Sequence, residues 1–197
     1  MSDKPREYCG IYGIYNHPDA ALHTYYGLHS LQHRGQESAG IVSSYFDEDK
    51  ERPAMPAYKD FGLVLNVFDD SKVFKKILKG DKAIGRNRYS TSGSSKNPAN
   101  IQPFRVHYRN GNLAIGHNGN LSNARQIRER FRKEGVLFQS TSDTELILHL
   151  ISHSLYEDQM DQIMDALRQI EGAYCLVILT DDKLIAVRDP NGFRPLA

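Results

Sequence analysis

The apolar positions of this chain change rhythm several times, and each change marks an element. Short runs rich in β-branched and aromatic residues predict strands at 9–15, 39–45, 58–64 (interrupted at Gly62), 82–89, 104–108, 113–117, 173–180 and 184–188. Helical spacing predicts five helices between them. The first, over 20–33, puts Leu22, Tyr25, Tyr26 and His29 on one stripe, and a second carries Val73, Phe74, Ile77 and Leu78 inward. A third buries Ala124, Ile127 and Phe131, a fourth Leu146, Ile147, Leu150 and Ile151, and a fifth Met160, Ile163, Met164, Leu167 and Ile170.

Caps and stops fit these windows. Asp70 or Ser71, then Ser122, stand where a helix N-cap is needed, and Ser142-Asp143-Thr144-Glu145 matches a capping box. Gly35, Gly80, Gly135 and Gly172 close helices. Asn110-Gly111 predicts a tight hairpin, because both residues tolerate positive φ, and 181–183 predicts another. The first two strands are close enough in sequence to pair antiparallel. Residues 47–56 read as a solvated excursion, and 90–98 as a long polar loop set mid-domain. Strands come early and late, with helices in two pairs between them. That order predicts an α+β fold with antiparallel sheets.

Composition narrows the function classes. A length of 197 residues with 40% hydrophobic and 25% charged content suits one soluble domain. A net charge of +1 supplies no field for nucleic acid or an anionic membrane surface. No apolar run approaches the ~20 residues of a membrane-spanning helix, and the N-terminus lacks the apolar core of a secretory signal. Cys9 and Cys175, the two cysteines, make no disulfide framework. The expectation is a reduced, cytoplasmic protein.

Candidate chemistry centres on Tyr8-Cys9-Gly10-Ile11-Tyr12-Gly13, where a cysteine opens the first strand beside glycines that let other groups approach the backbone. Cys9 reads either as a nucleophile or as a buried strand residue, since free cysteine is among the most buried residue types. Cleavage before Cys9 would give one residue both a thiol and an α-amino base. Gly116-His117-Asn118-Gly119-Asn120 offers a carboxamide and a glycine amide as oxyanion donors, or else an ordinary Asn-Gly turn. Arg86 and Arg88 fall on one face of a strand end by period-two alternation. Asp143 stands at a helix N-terminus, where capping is the plainer role. Among eight histidines, the pairs His29/His33 and His149/His153 lack the companions of a metal site, so no metal site is assigned. Cys175 reads as core, and the arginines of the third helix as a solvated face.

Taken together, Cys9-Gly10-Ile11, the stretch from Leu31 to Gly40, Arg88-Tyr89-Ser90-Thr91, Gly116 to Asn120, Ser142 to Glu145 and Arg188 to Leu196 occur in an order that resembles the class II glutamine amidotransferases, members of the N-terminal-nucleophile hydrolases. The details look most like the glutaminase domain of the amidophosphoribosyltransferases: Tyr89 follows Arg88, and Ser92 follows Thr91, where the glucosamine-6-phosphate synthase group usually has Trp and His. The resemblance implies a four-layer αββα sandwich over residues 9–197. It implies that Cys9 attacks the glutamine side-chain amide, forming a thioester and releasing ammonia, with its own α-amino group as base. Asn118 and Gly119 match the oxyanion hole, Arg88 the arginine for the α-carboxylate, and Asp143 the aspartate for the α-amino group. Thr91 lines the same substrate, and Arg34 lies in the loop that closes over it.

The resemblance further implies that residues 1–8 are a propeptide removed by self-cleavage. It implies a phosphoribosyltransferase domain, or subunit, that is absent from this chain and uses the ammonia for purine synthesis. A stand-alone glutaminase subunit, or an unprocessed module binding glutamine or a partner, are the alternatives. No cofactor is expected in this chain itself. Its parent would need Mg, with an iron–sulfur cluster in some members, and would form a homo-oligomer.

Overall fold

The structure is a computed structural model that describes residues 9–88 and 97–197; the expected propeptide, and Tyr89, Ser90, Thr91 and Ser92, lie outside those residues. In chain order come β1 (Cys9–Ile14), α1 (Ala20–Ser30), a 3-10 turn (Gln32–Arg34), β2 (Ser38–Asp47), β3 (Arg52–Ala54), β4 (Ala57–Phe61), α2 (Val64–Val67), a π-helical turn (Val73–Ile77) and β5 (Lys82–Arg88). After a short turn (Pro98–Asn100) follow β6 (Phe104–Tyr108), β7 (Gly111–Leu121), α3 (Ala124–Lys133), α4 (Asp143–His153), α5 (Gln159–Gln169), β8 (Gly172–Thr180) and β9 (Leu184–Arg188). No helix among the described residues is long and apolar enough to cross a membrane.

Two antiparallel sheets result, one ordered β1-β5-β2-β3 with β4 also paired to β2, the other β6-β7-β8-β9. Strand alternation sorts their side chains into three apolar layers. Ile41 and Ala83 face outward under α1, α2 and the π-helical turn, packing with Leu28, Val64 and Phe68. Their neighbours Val42 and Ile84 face inward and meet Ala114, Val177 and Leu179 of the second sheet. Leu113, Ile115, Leu176 and Ile178 point the other way, into α3, α4 and α5. This is the four-layer αββα arrangement that the sequence led us to expect.

Several local expectations are corrected. β1 does not pair with β2: β5 lies between them and pairs with both, because the α1 connection covers the outer face and leaves the central place open. The buried stripe of α1 is Ala20, Ala21, Thr24 and Leu28, not the aromatic one. Small residues let the helix lie close; a Cβ on Gly27 would sit 2.3 Å from the Tyr12 ring. Tyr26 is exposed accordingly. Residues 73–77 make a single π-helical turn that buries Val73 and leaves Ile77 outside. Residues 52–54 of the supposed excursion pair with β2, and Met55 is buried between the sheets.

Caps differ too. α3 starts from Asn123, whose side chain is committed to Gln169 O and Glu171 N, rather than from Ser122. Ser142 caps α4 as expected, accepting from Thr144 N. The return arm of the box is missing, because Glu145 turns instead to the amides of Gln139 and Ser140 at 2.7 and 2.9 Å. The β6–β7 hairpin turns on Arg109 and Asn110, with Gly111 the first residue of β7 at φ +100°. Met164, expected inside α5, is exposed.

Candidate active site

β1 begins at Cys9, and its register sets Cys9 against Arg88 and Ile11 against Arg86. Ile11 packs between the sheets, so Cys9, two residues earlier, shares that inner face. The same parity from Ile84 turns Arg86 and Arg88 inward. Arg86 is buried and its Nη2 donates to Cys9 Sγ at 3.2 Å. Arg34, in the 3-10 turn, donates from Nε to Cys9 O at 3.0 Å. The backbone beyond is fixed by Asn87, whose Oδ1 accepts from Gly10 N at 2.7 Å while its amide donates to Leu28 O and Leu31 O. A Cβ on Gly10 would sit 2.5 Å from that Oδ1, so the glycine is required by the close approach. Arg88 makes an ion pair with Glu37, Nε to Oε2 3.6 Å, and accepts at its carbonyl from Glu37 N.

The second sheet supplies the facing wall. Ala114 on β7 faces the first sheet, and an unbroken register with β8 from residue 113 to 121 carries Asn118 to the same side. Gly119 follows at φ +150°, where a Cβ would lie 2.2 Å from Ala173 O. Asp143 opens α4, and its Oδ2 accepts from Leu121 N at 3.0 Å, tying the helix start to the end of β7. Behind it runs a polar network. Gln102 accepts from His117 N at 3.0 Å and donates to Thr144 Oγ1 and Ser142 Oγ, while Thr144 Oγ1 also meets His117 Nδ1 at 3.1 Å. Burial, with Arg86 and Arg194 nearby, holds the His117 pKa down to about 3, so its ring is neutral at physiological pH.

Arg86, Arg88, Gly119, Asn120, His117 and Asp143 line one polar cleft of about 190 Å³. That is below the ~300–1,000 Å³ of pockets for drug-sized ligands, and it suits a molecule of amino-acid size. Four buried side-chain atoms among the described residues lack a hydrogen-bond partner, and three of them, Glu37 Oε2, Arg86 Nε and His117 Nε2, belong to the groups just described. Orphaned polar atoms gathered in one place mark where a ligand or water completes the bonding. A larger groove of about 520 Å³ lies beside β6 and α4, but no cysteine lines it.

The expected site residues therefore converge in large part. Arg88, Asp143 and Gly119 share the cleft; Cys9 joins it through Arg86; Asn118 shares the inner face. Arg34 sits against the backbone of Cys9. Thr91 lies outside the described residues. Sequence reasoning placed Arg86 on the face of Arg88 as a charge partner for a polar substrate, not as a partner of the sulfur, and it gave no role to Gln102, His117, Thr144 or Glu37. Their signal is burial and mutual bonding, which no linear spacing displays. Cys175 is fully buried, with Sγ 3.5 Å from Pro195 O, and reads as core. Among the described residues no three of His, Cys, Asp and Glu gather as metal ligands.

Asp189, also buried, accepts from the amides of Asn191, Phe193 and Arg194. Burial alone would raise its pKa; those amides outweigh it and hold the carboxyl below the usual range. The turn so fixed places Arg194 within electrostatic reach of His117.

With this geometry in hand, comparison with known proteins is informative. The family described as glutamine amidotransferase domain matches residues 87–197. The chain is 47% identical over 194 residues to amidophosphoribosyltransferase 2, chloroplastic, of Arabidopsis thaliana, covering 98% of this chain and 33% of that protein. It is 45% identical over 192 residues to the amidophosphoribosyltransferase of Bacillus subtilis, covering 97% and 38%. Among solved structures it is similar to the glutamine phosphoribosylpyrophosphate amidotransferase of B. subtilis complexed with ADP and GMP, with TM-score 0.83, 42% identity, and 94% of this chain and 38% of that one covered. A structure described as the allosteric regulatory enzyme of purine biosynthesis matches with TM-score 0.85 and 43% identity, over 94% and 38%. The chain thus spans about a third of the length of these curated relatives.

Proposed function

The chain belongs to the glutamine amidotransferase domain family, and from that premise we propose that it hydrolyses the side-chain amide of glutamine through a thioester on Cys9. The convergence of Arg88, Gly119 and Asp143 on one amino-acid-sized cleft beside Cys9 carries this reading. Glutamine is a zwitterion at its α-carbon. The Arg88 guanidinium takes the α-carboxylate, a planar fork matched to two oxygens, and the Asp143 carboxylate takes the α-ammonium. The side chain then runs toward Cys9. Sulfur attacks the amide carbon, and negative charge develops on the amide oxygen, which the Asn118 side chain and the Gly119 N–H meet. The C–N bond breaks, ammonia leaves with a proton from the Cys9 α-amino group, and water hydrolyses the thioester to glutamate.

The α-amino base requires removal of residues 1–8, and attack of the Cys9 thiol on the Tyr8 carbonyl is the proposed route. N-terminal sequencing of active protein should return Cys9; activity in a chain still starting at Met1 or Ser2 sinks that step. Glutamate release from glutamine should be lost by at least about 10³-fold in Cys9→Ser. Equal activity in the two proteins would overturn the glutaminase assignment.

We further propose that the ammonia serves a phosphoribosyltransferase domain or subunit, as the names of the relatives suggest, giving phosphoribosylamine from phosphoribosyl pyrophosphate. Mg²⁺ and any iron–sulfur cluster would then be held mainly outside residues 9–197, and the parent would be a homo-oligomer. Glutamine-dependent release of pyrophosphate by the product of the whole gene tests this; release of ammonia alone would favour a separate synthase.

A further inference from the structure

Three arginines surround Cys9, and they are not equivalent. Arg34 reaches its carbonyl and Arg88 is engaged by Glu37. Arg86 alone donates to the sulfur. Its residue exposure is 8%, its Nε has no partner, and no ion pair reaches it among the described residues. A guanidinium stays protonated at any physiological pH, and burying it without a counter-charge is costly. Among the described residues its one side-chain hydrogen bond is to Sγ, and the Arg86–Sγ pair becomes a charge-assisted hydrogen bond only when the sulfur is negative.

We propose that Arg86 is a catalytic residue that holds the Cys9 sulfur as a thiolate before glutamine arrives. The inference deepens the glutaminase reading and rests on it for the role of the cleft. The proton leaving sulfur goes to the α-amino nitrogen once Cys9 is the first residue, or to water while Tyr8 is still attached; Arg86 neither gives nor takes one. In the cleaved protein this reverses the resting state of the base. The α-amino group already carries the proton that the leaving nitrogen needs, and sulfur attacks without a prior proton transfer. When the C–S bond forms, the charge moves from sulfur to the amide oxygen, away from Arg86 and toward Asn118 and Gly119.

The test is the rate of alkylation of Cys9, followed by mass spectrometry of its peptide across pH 5–9, in wild type, Arg86→Met and Arg86→Lys. Neutral iodoacetamide and anionic iodoacetate are used in parallel. At pH 6 the wild-type rate with iodoacetamide should exceed that of free cysteine by about 10-fold or more, since an ordinary thiol with pKa near ~8.5 is almost wholly protonated there. Arg86→Met should lose that excess, and Arg86→Lys, which restores the charge, should recover part of it. A wild-type rate no greater than that of free cysteine overturns the proposal, even if Arg86→Met does not fold. Slowing of iodoacetate alone also overturns it and makes Arg86 an anion-binding group instead. Alkylation does not require turnover, so these outcomes stand apart from the Cys9→Ser glutaminase assay.

Discussion

The two walls of the cleft are built on opposite plans. On the side of α4 the polar groups are tied to one another, with His117 Nε2 and His149 Nε2 the atoms left over: Glu145 accepts from Gln139 N, Ser140 N and Ser140 Oγ, Asn100 accepts from Thr141 N, and Gln102 joins β7 to Ser142 and Thr144. On the side of β1 and β5 the side chains nearest Cys9 are left incomplete. Arg86 has an unused Nε, Glu37 Oε2 has no hydrogen bond, and Arg86 meets the Cys9 sulfur through one hydrogen bond at 3.2 Å. A satisfied network resists rearrangement, whereas unsatisfied charge is available to whatever binds. The difference teaches how the site divides its labour: the α4 wall sets geometry, and the β5 wall supplies reactivity.

That division can be broken from either side. The largest effect belongs to Gly119→Ala. Its φ of +150° and the 2.2 Å approach of a new Cβ to Ala173 O force the β7–β8 ladder apart just where the proposed oxyanion donors sit. Glutaminase turnover should fall about 10²-fold or more, with a melting temperature lowered by several degrees. Unchanged turnover would mean that the Gly119 amide is not a donor.

Acid sharpens the same comparison through His117. Its pKa is about 3 in the folded chain against 6.5 as the ordinary value, so the unfolded chain binds more protons between those limits. Stability from this group is therefore complete above about pH 6.5 and is lost as pH falls toward 3, by about 1.4 kcal/mol per pH unit over most of that interval. Denaturant melts of wild type and His117→Gln should differ in slope against pH across that window. Parallel curves would show that the ring is already charged in the fold.

The smallest effect should come from Glu145→Gln. One carboxylate there accepts three hydrogen bonds, and an amide can accept fewer and adds donors with no partner. A loss of about 1–3 kcal/mol in urea melts is expected, with turnover at saturating glutamine within a few-fold of wild type. A larger loss of turnover than of stability would place this network in the chemistry and erase the distinction between the walls.

How much of this the sequence displays depends on the range of the interaction. Most strands, α4 and α5 were legible because period and capping are local properties, whereas β3 and the end of α1 at Ser30, short of Gly35, were not. Cys9, Arg88, Asp143 and the Asn118-Gly119 pair could be singled out as candidates because they lie in compact motifs. Non-local packing was not. The stripe of α1 was misread because Ala20, Ala21 and Thr24 are small residues chosen for a close neighbour, and helical periodicity gives most weight to large apolar side chains. Glu145 satisfied the spacing of a capping box, yet a loop five residues back claims it. Arg86 could be placed on the right face but not on the sulfur, because that contact joins positions 77 residues apart.

The place of β1 in its sheet also fixes an order of events. Among the described residues it is an edge strand whose one ladder partner is β5, and β5 in turn lies against β2. β1 can pack on α1 early, but its hydrogen-bonded ladder waits until residues 82–88 have arrived, and closing so long a loop is slow compared with forming α1 or the β6–β7 hairpin. Arg86 and Arg88 come with β5 in the same movement. Cys9 and these charges are therefore brought together late, so under the proposed role of Arg86 the reactivity of Cys9 becomes a timer for completion of the first sheet.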